Sequence, residues 1–219
     1  MAVLALSAAF AAQAQTVLSE GFDSVPALTG SGWSIVNNST APVGTDWFQG
    51  NAGIFTAASG ADNSYVAANF VATGSATGAI SDWLILPELT LDSSSVLSFQ
   101  VRTGGDGFLD KLEIRFSPNG GSANVGTTTT SVGDFGMLLG TFSSDSGGGW
   151  IGLSYSLLGL DAPTNGRLAF RYVVDNVATA GNYIGIDNVS VTASIPEPAS
   201  YALMGLGVAA LLLRRRLTA

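Results

Sequence analysis

From Val96 to Arg102 apolar and polar residues alternate, with Leu97, Phe99 and Val101 on one side and Ser98, Gln100 and Arg102 on the other. The same alternation returns between Lys111 and Phe116, where Leu112, Ile114 and Phe116 oppose Lys111, Glu113 and Arg115. A period of two is that of a strand with one buried and one wet face. Thr103-Gly104-Gly105-Asp106-Gly107 supplies a flexible hairpin connection between the two, and Ser117-Pro118-Asn119-Gly120-Gly121 closes the second. Further strands are predicted over Ser34–Asn37, Tyr65–Phe70, Asp82–Leu86, Gly136–Phe142, Gly149–Leu153, Arg167–Val174 and Tyr183–Val191. No helical stripe of useful length interrupts them. The Thr- and Gly-rich stretch Gly121–Gly133 is predicted to be a mobile loop, and Val177–Asn182 a short connection. Many short antiparallel strands joined by Gly-rich turns predict an all-β sandwich of two sheets.

Both ends of the chain depart from this pattern. Val3–Ala12 is apolar and small, and Ala12-Gln13-Ala14 is an Ala-x-Ala cleavage pattern, so residues 1–14 read as a secretory signal peptide cut between Ala14 and Gln15. No Lys or Arg precedes the apolar run, so the natural start is expected farther upstream. At the other end, Pro196-Glu197-Pro198 is followed by an uncharged run from Ala199 to Leu213 and then by Arg214, Arg215 and Arg216. As a single transmembrane helix that run would span roughly 22 Å, short of the roughly 30 Å hydrocarbon core. It is therefore a weak permanent anchor. The arginines resist crossing, so they stay cytoplasmic and everything before Pro196 lies on the far side. Residues 195–219 closely resemble the PEP-CTERM sorting signal of Gram-negative bacteria; the alternative is an ordinary tail anchor with chance prolines. The resemblance implies processing by an exosortase near Pro-Glu-Pro, and an association with exopolysaccharide-producing, biofilm-forming bacteria.

Composition narrows what remains. The chain has 219 residues, so about 180 are left for one domain, enough for a single core. Cysteine is absent, so no disulfide staples it. The net charge is −8, and without Glu197 and the three terminal arginines 15 acids face 5 bases, a net of −10. Such a surface repels nucleic-acid phosphates. With 11% charged residues and 28 glycines, the surface is polar but largely neutral, as suits an extracellular scaffold or a sugar binder.

Within the core, Glu20-Gly21-Phe22-Asp23, Gly32-Trp33 and Asp46-Trp47 precede Ser64-Tyr65-Val66-Ala67-Ala68-Asn69-Phe70 and Ser81-Asp82-Trp83-Leu84-Ile85-Leu86-Pro87. Trp150, Arg167-Leu168-Ala169-Phe170-Arg171-Tyr172 and Gly185-Ile186-Asp187-Asn188-Val189-Ser190-Val191 follow. This order resembles the choice-of-anchor J domain, a relative of cleaved-adhesin and MAM-type domains, over most of residues 15–194. The Asp-Trp-Leu-Ile-Leu-Pro block and the Ile-Asp-Asn-Val ending carry it. The resemblance implies a jelly-roll β-sandwich with the first and last strands side by side, joined to one of several C-terminal anchors.

Histidine is absent, so neither a Ser-His nor a Cys-His nucleophile can be built, and zinc lacks its usual ligands. Paired carboxylates, as in glycosidases, remain, but none of the 16 acids sits in a catalytic motif. The resemblance, by pairing first and last strands, would bring Glu20 beside Asp187, where a structural Ca2+ would relieve their repulsion. Exposed Glu20 with Asp187 capping a turn is the alternative. For sugar recognition, Trp33, Trp83 and Trp150 fall in strand contexts and read as core. Trp47 and Phe48, between Gly44 and Gly50, are the better candidates for an exposed ring platform. The reading is an exported, non-enzymatic cell-surface or matrix protein, an adhesion or exopolysaccharide-associated component. A carbohydrate-binding module with a defined glycan site is the first alternative, and a carboxylate-dependent glycoside hydrolase the second.

Overall fold

A computed structural model describes residues 13–44, 46–195 and 205. Twelve strands run through them: β1 (Gln13–Glu20), β2 (Ser34–Asn37), β3 (Phe48–Gln49), β4 (Val66–Asn69), β5 (Ile80–Ile85) and β6 (Leu89–Leu91). The second half adds β7 (Val96–Thr103), β8 (Asp106–Ser117), β9 (Met137–Ser146), β10 (Ile151–Ser156), β11 (Thr164–Val174) and β12 (Tyr183–Ile195). Two antiparallel sheets result. The first has the order β10-β7-β12-β4-β3 with β1 also on β12, and the second β2-β5-β11-β8-β9 with β6 also on β11.

The alternating residues of β7 and β8 define the core. Leu97, Phe99 and Val101 from the first sheet meet Leu112, Ile114, Phe116, Leu168 and Phe170 from the second in one buried cluster. Phe99 and Phe170 touch edge to face across the two layers, with ring centroids 4.8 Å apart. Burying a side chain of this size contributes about 1.5–3 kcal/mol, which is how the sandwich holds without disulfides.

Each sheet also hides part of its outer face under a loop. Phe55, from the 50–64 segment, packs with Tyr65, Ala67 and Tyr183 on the first sheet. Val125 and Phe135 pack with Trp83, Ile85 and Ala169 on the second. The Gly121–Gly133 stretch is therefore a packed strap rather than the mobile loop its composition predicts. Its Thr and Gly residues dominate the sequence signal, but the buried Val125 and the Phe135 just beyond it pin it. Hydrogen bonds such as Asn38 Nδ2 to Gly126 O (2.8 Å) and Asp134 N to Asn124 O (2.9 Å) hold its backbone.

β1 and β12 lie side by side, with Gln13 opposite Ile195 and Glu20 opposite Val189. Ala14 and Gln15, the expected cleavage pair, sit inside β1 opposite Ser194 and Ala193. The leader before Gln13 and the tail from Pro196 through Met204 and from Leu206 onward lie outside the described residues. Among the described residues no helix is long and apolar enough to cross a membrane; the predicted Ala199–Leu213 span is not among those described, Gly205 excepted.

Candidate functional site

The seam between β1 and β4 is the first place to look for chemistry. β12 pairs with β4 through Ile186 and with β1 from Val189 onward. Its ladder with β7 breaks between Asp187 and Ser190, and Asn188 adopts a left-handed φ of 51°. Such a bulge re-aims the side chains beside it. The fully buried Asp187 carboxylate accepts N–H groups from Ala58 (2.8 Å) and Ser59 (3.2 Å) on Oδ2, and from Asn188 (2.6 Å) on Oδ1. Burial pushes its pKa up, the three N–H groups pull it partly back, and nearby Asp23 adds to the rise. Asp187 thus ties the 50–64 loop to the first sheet.

Half-buried Glu20 accepts the Phe22 N–H on Oε1 at 2.7 Å, and Asp23 Oδ1 accepts the Ser64 hydroxyl at 2.8 Å. Glu20 and Asp187 thus lie on paired strands, with Glu20 opposite Val189, two residues from Asp187. An ionised carboxylate has about four acceptor sites, so three N–H groups leave Asp187 roughly one for a cation. Among the described residues no group of three or more acidic, His or Cys side chains converges as a metal cluster.

Trp47 is only 4% exposed and belongs to the inter-sheet core, and half-buried Phe48 meets Tyr183 edge to face at 5.9 Å. The Trp47–Phe48 pair is therefore not an open ring platform. Trp33 and Trp83 are buried as their strand contexts predict, and half-buried Trp150 donates Nε1–H to Thr56 O at 2.9 Å.

A network on the outer face of the second sheet went unread in the sequence as a unit. Glu113 Oε2 accepts from Arg115 Nε at 2.7 Å and Arg171 Nη1 at 3.0 Å, while Lys111 Nζ lies 3.8 Å from Oε1. Arg171 also donates to Ser81 Oγ at 3.0 Å and to Thr129 O at 2.5 Å, and its guanidinium lies over Trp83 at 5.0 Å. Arg115 reaches Phe135 O at 3.1 Å. Burial alone would push the Glu113 carboxyl up, but the Arg115 hydrogen bond and the charges of Arg115 and Arg171 hold it below its usual range. The network fastens the 121–135 strap to the sheet. The alternation Lys111-Leu112-Glu113-Ile114-Arg115 signals a polar face, but its Arg171 and Thr129 partners are distant in sequence.

Asp82 presents the opposite case. It is fully buried on β5, and neither carboxylate oxygen has a hydrogen-bond partner among the described residues. Burial, reinforced by Asp46, drives its pKa well above the usual range.

Comparisons with known proteins bear on the tail and the sandwich separately. Residues 194–216 match the PEP-CTERM protein-sorting motif. Among curated protein sequences none matches the chain. The sandwich is similar to the K1 cleaved adhesin domain of Lys-gingipain from Porphyromonas gingivalis W83, at 23% identity and TM-score 0.58, over 83% of this chain and 99% of that one. It is also similar to the K3 domain from the same organism, at 20% identity and TM-score 0.57, over 83% of this chain and 100% of that one. The K2 domain of Lys-gingipain follows at 19% identity and TM-score 0.54, over 82% and 99%. The likeness is one of fold: a two-sheet antiparallel sandwich of the cleaved-adhesin kind.

Proposed function

We propose that this chain is an exported cell-surface or extracellular-matrix protein, sorted by an exosortase and serving without catalysis as an adhesion or exopolysaccharide-associated component. The observation that carries the reading is the sorting motif over residues 194–216, which begins where β12 ends at Ile195. The strand ends next to the expected leader cut and the sorting signal, Gln13 and Ile195, are paired. Both processing events would therefore act at one end of the sandwich and leave its core intact. Cutting after Ala14 keeps Gln15–Glu20 available to pair with β12, and cutting at Pro-Glu-Pro keeps β12 whole. The domain itself we read as choice-of-anchor J, and the tail as a brief membrane-crossing intermediate with Arg214, Arg215 and Arg216 inside.

A structural Ca2+ at Glu20 and Asp187 forms part of the proposal. It is supported by their places on the paired strands β1 and β12, with Glu20 opposite Val189 and Asp23 close enough to Asp187 to raise its pKa. With Asp187 offering about one free acceptor site, the remaining oxygens would come from Glu20, backbone carbonyls and water. That predicts the weak, roughly 10⁻⁴–10⁻³ M binding of extracellular modules. Chelation should then lower the unfolding midpoint; no shift in calcium against chelator removes the ion from the account.

Reporter fusions test the geography. A reporter after Ala219 should be active only in the cytoplasm and one before Pro196 only outside it, and deletion of the exosortase should leave the unprocessed chain in the membrane. A periplasmic Arg214–Arg216 end would overturn the reading.

A further inference from the structure

Asp106, at the start of β8, pairs with Ser146, and the ladder resumes only at Asp110 opposite Ser144, so residues 107–109 bulge out of the sheet. The bulge carries Phe108 and Leu109 into solvent, 41% and 46% exposed. Just past the end of β4, Phe70 is 47% exposed. Phe70 and Phe108 line one recess of about 260 Å3 together with Asp106, Val177, Gly181 and Asn182. Large apolar side chains held in water beside polar groups mark a contact surface rather than core.

The recess is built rather than loose. Phe70 N–H bonds Asn182 O at 3.1 Å and Gly181 N–H bonds Leu109 O at 2.9 Å, so its three walls are tied together. The Asn182 N–H rests on Asp110 Oδ1 at 2.9 Å, and the Asn182 side-chain amide donates to the Asp106 carboxylate. A separate recess of about 180 Å3 lies between Leu109, Lys111 and the 173–180 segment.

We propose that this cleft binds a neutral polysaccharide, one hexose ring stacking on Phe108 and Phe70 while its hydroxyls meet Asp106 and Asn182. The inference rests on the polysaccharide-associated reading above and gives it a site. A sugar ring presents an apolar C–H face with a polar rim, which is the complement of two exposed aromatic rings beside a carboxylate–amide pair. Pockets for drug-sized ligands start at about 300 Å3, so this recess, at about 260 Å3, suits a single ring. The Asp106 carboxylate and the acidic domain disfavour anionic glycans.

Affinity electrophoresis of the full chain through gels containing galactomannan, xyloglucan, hydroxyethylcellulose or polygalacturonate tests this. At least one neutral polysaccharide should retard the protein and polygalacturonate should not. Phe108→Ala and Phe108→Leu should each weaken retention at least tenfold, while Phe108→Tyr keeps it, with thermal midpoints unchanged because the ring is exposed. Retention that survives Phe108→Ala and Phe70→Ala overturns the cleft and leaves polysaccharide association standing. Retention kept by Phe108→Leu as well as by Phe108→Tyr overturns ring stacking. Retention by polygalacturonate alone overturns the neutral-glycan assignment. No retention in any gel removes both cleft and polysaccharide association, without touching export.

Discussion

Replacing Glu113 by Gln preserves the shape of the side chain and removes the one negative charge that Arg115 and Arg171 share. Side-chain exposure is 10% for Glu113, 5% for Arg171 and 12% for Arg115, so water can compensate little of the loss. Removing one partner of a buried ion pair costs about 3–5 kcal/mol; the amide still accepts one hydrogen bond, which puts the expected loss near the lower bound, at about 3 kcal/mol. In a domain of this size 1 kcal/mol moves the midpoint by about 2–4 °C, so the melting temperature at pH 7 should fall by roughly 6–12 °C. The strap over residues 121–135 should also become the first site of limited proteolysis, because Arg171 and Arg115 hold its Thr129 and Phe135 carbonyls. The pH dependence has a definite sign. The Glu113 carboxyl is held below its unfolded value, so the unfolded chain binds more protons in that range. Its stabilisation is complete above the unfolded value of about 4.3 and is lost as pH falls through the folded value. The gap between wild type and Glu113→Gln should therefore close on acidification. A midpoint lowered by less than 2 °C at pH 7, or a gap that is constant from pH 7 to pH 3, would refute the assignment of this network as the strap's fastening.

Asp187→Ala leaves the Ala58, Ser59 and Asn188 N–H groups without their acceptor. Hydrogen bonds to a charged group contribute about 1.5–3 kcal/mol, so chemical denaturation should show a loss of about 2–4 kcal/mol, with amide exchange faster through residues 50–64. Unchanged exchange there would count against Asp187 as the loop's tie. Asp82 has its folded pKa raised, so its contribution is complete below the unfolded value of about 3.9 and is lost as pH rises through the folded value. The midpoint of Asp82→Asn relative to wild type should therefore climb as pH rises above about 4 and level off once the folded carboxyl ionises; a flat difference would mean that the carboxylate is ionised and satisfied. Gly185→Ala would place a Cβ 2.9 Å from the Phe55 and Tyr65 rings, and overpacking of that kind costs about 1–3 kcal/mol in thermal unfolding.

What was legible in the sequence was the part governed by local periodicity. Val96–Arg102 and Lys111–Phe116 alternate because each has one face on the core, and they appear as β7 and the inner part of β8. Strand ends were harder. Asp106 and Gly107 read as part of the Thr103–Gly107 turn because of the glycines there, yet both belong to β8, and the bulge that exposes Phe108 is set by pairing with β9. β1 was hidden because its first residues follow directly on an apolar leader pattern. Among site residues, the resemblance put Glu20 and Asp187 on neighbouring first and last strands, and β1 and β12 do pair. The loop N–H groups that Asp187 accepts come from 128 and 129 residues away and leave no local trace. Trp47 looked like a platform because glycines flank it, but a flanking glycine says nothing about which sheet covers the ring. In Gly121–Gly133 the composition outweighed two valines, Val125 and Val132, whose packing in the Trp83 cluster decides the matter.

The intact mass of the mature protein recovered from the outside of its native cell tests the central claim most directly. The account predicts a chain that begins at Gln15 and ends at or near Pro196-Glu197-Pro198, without the arginine triplet, and that reverts to a tailed, membrane-held form when the exosortase is removed. A cytosolic product that carries both Met1 and Ala219 would contradict it.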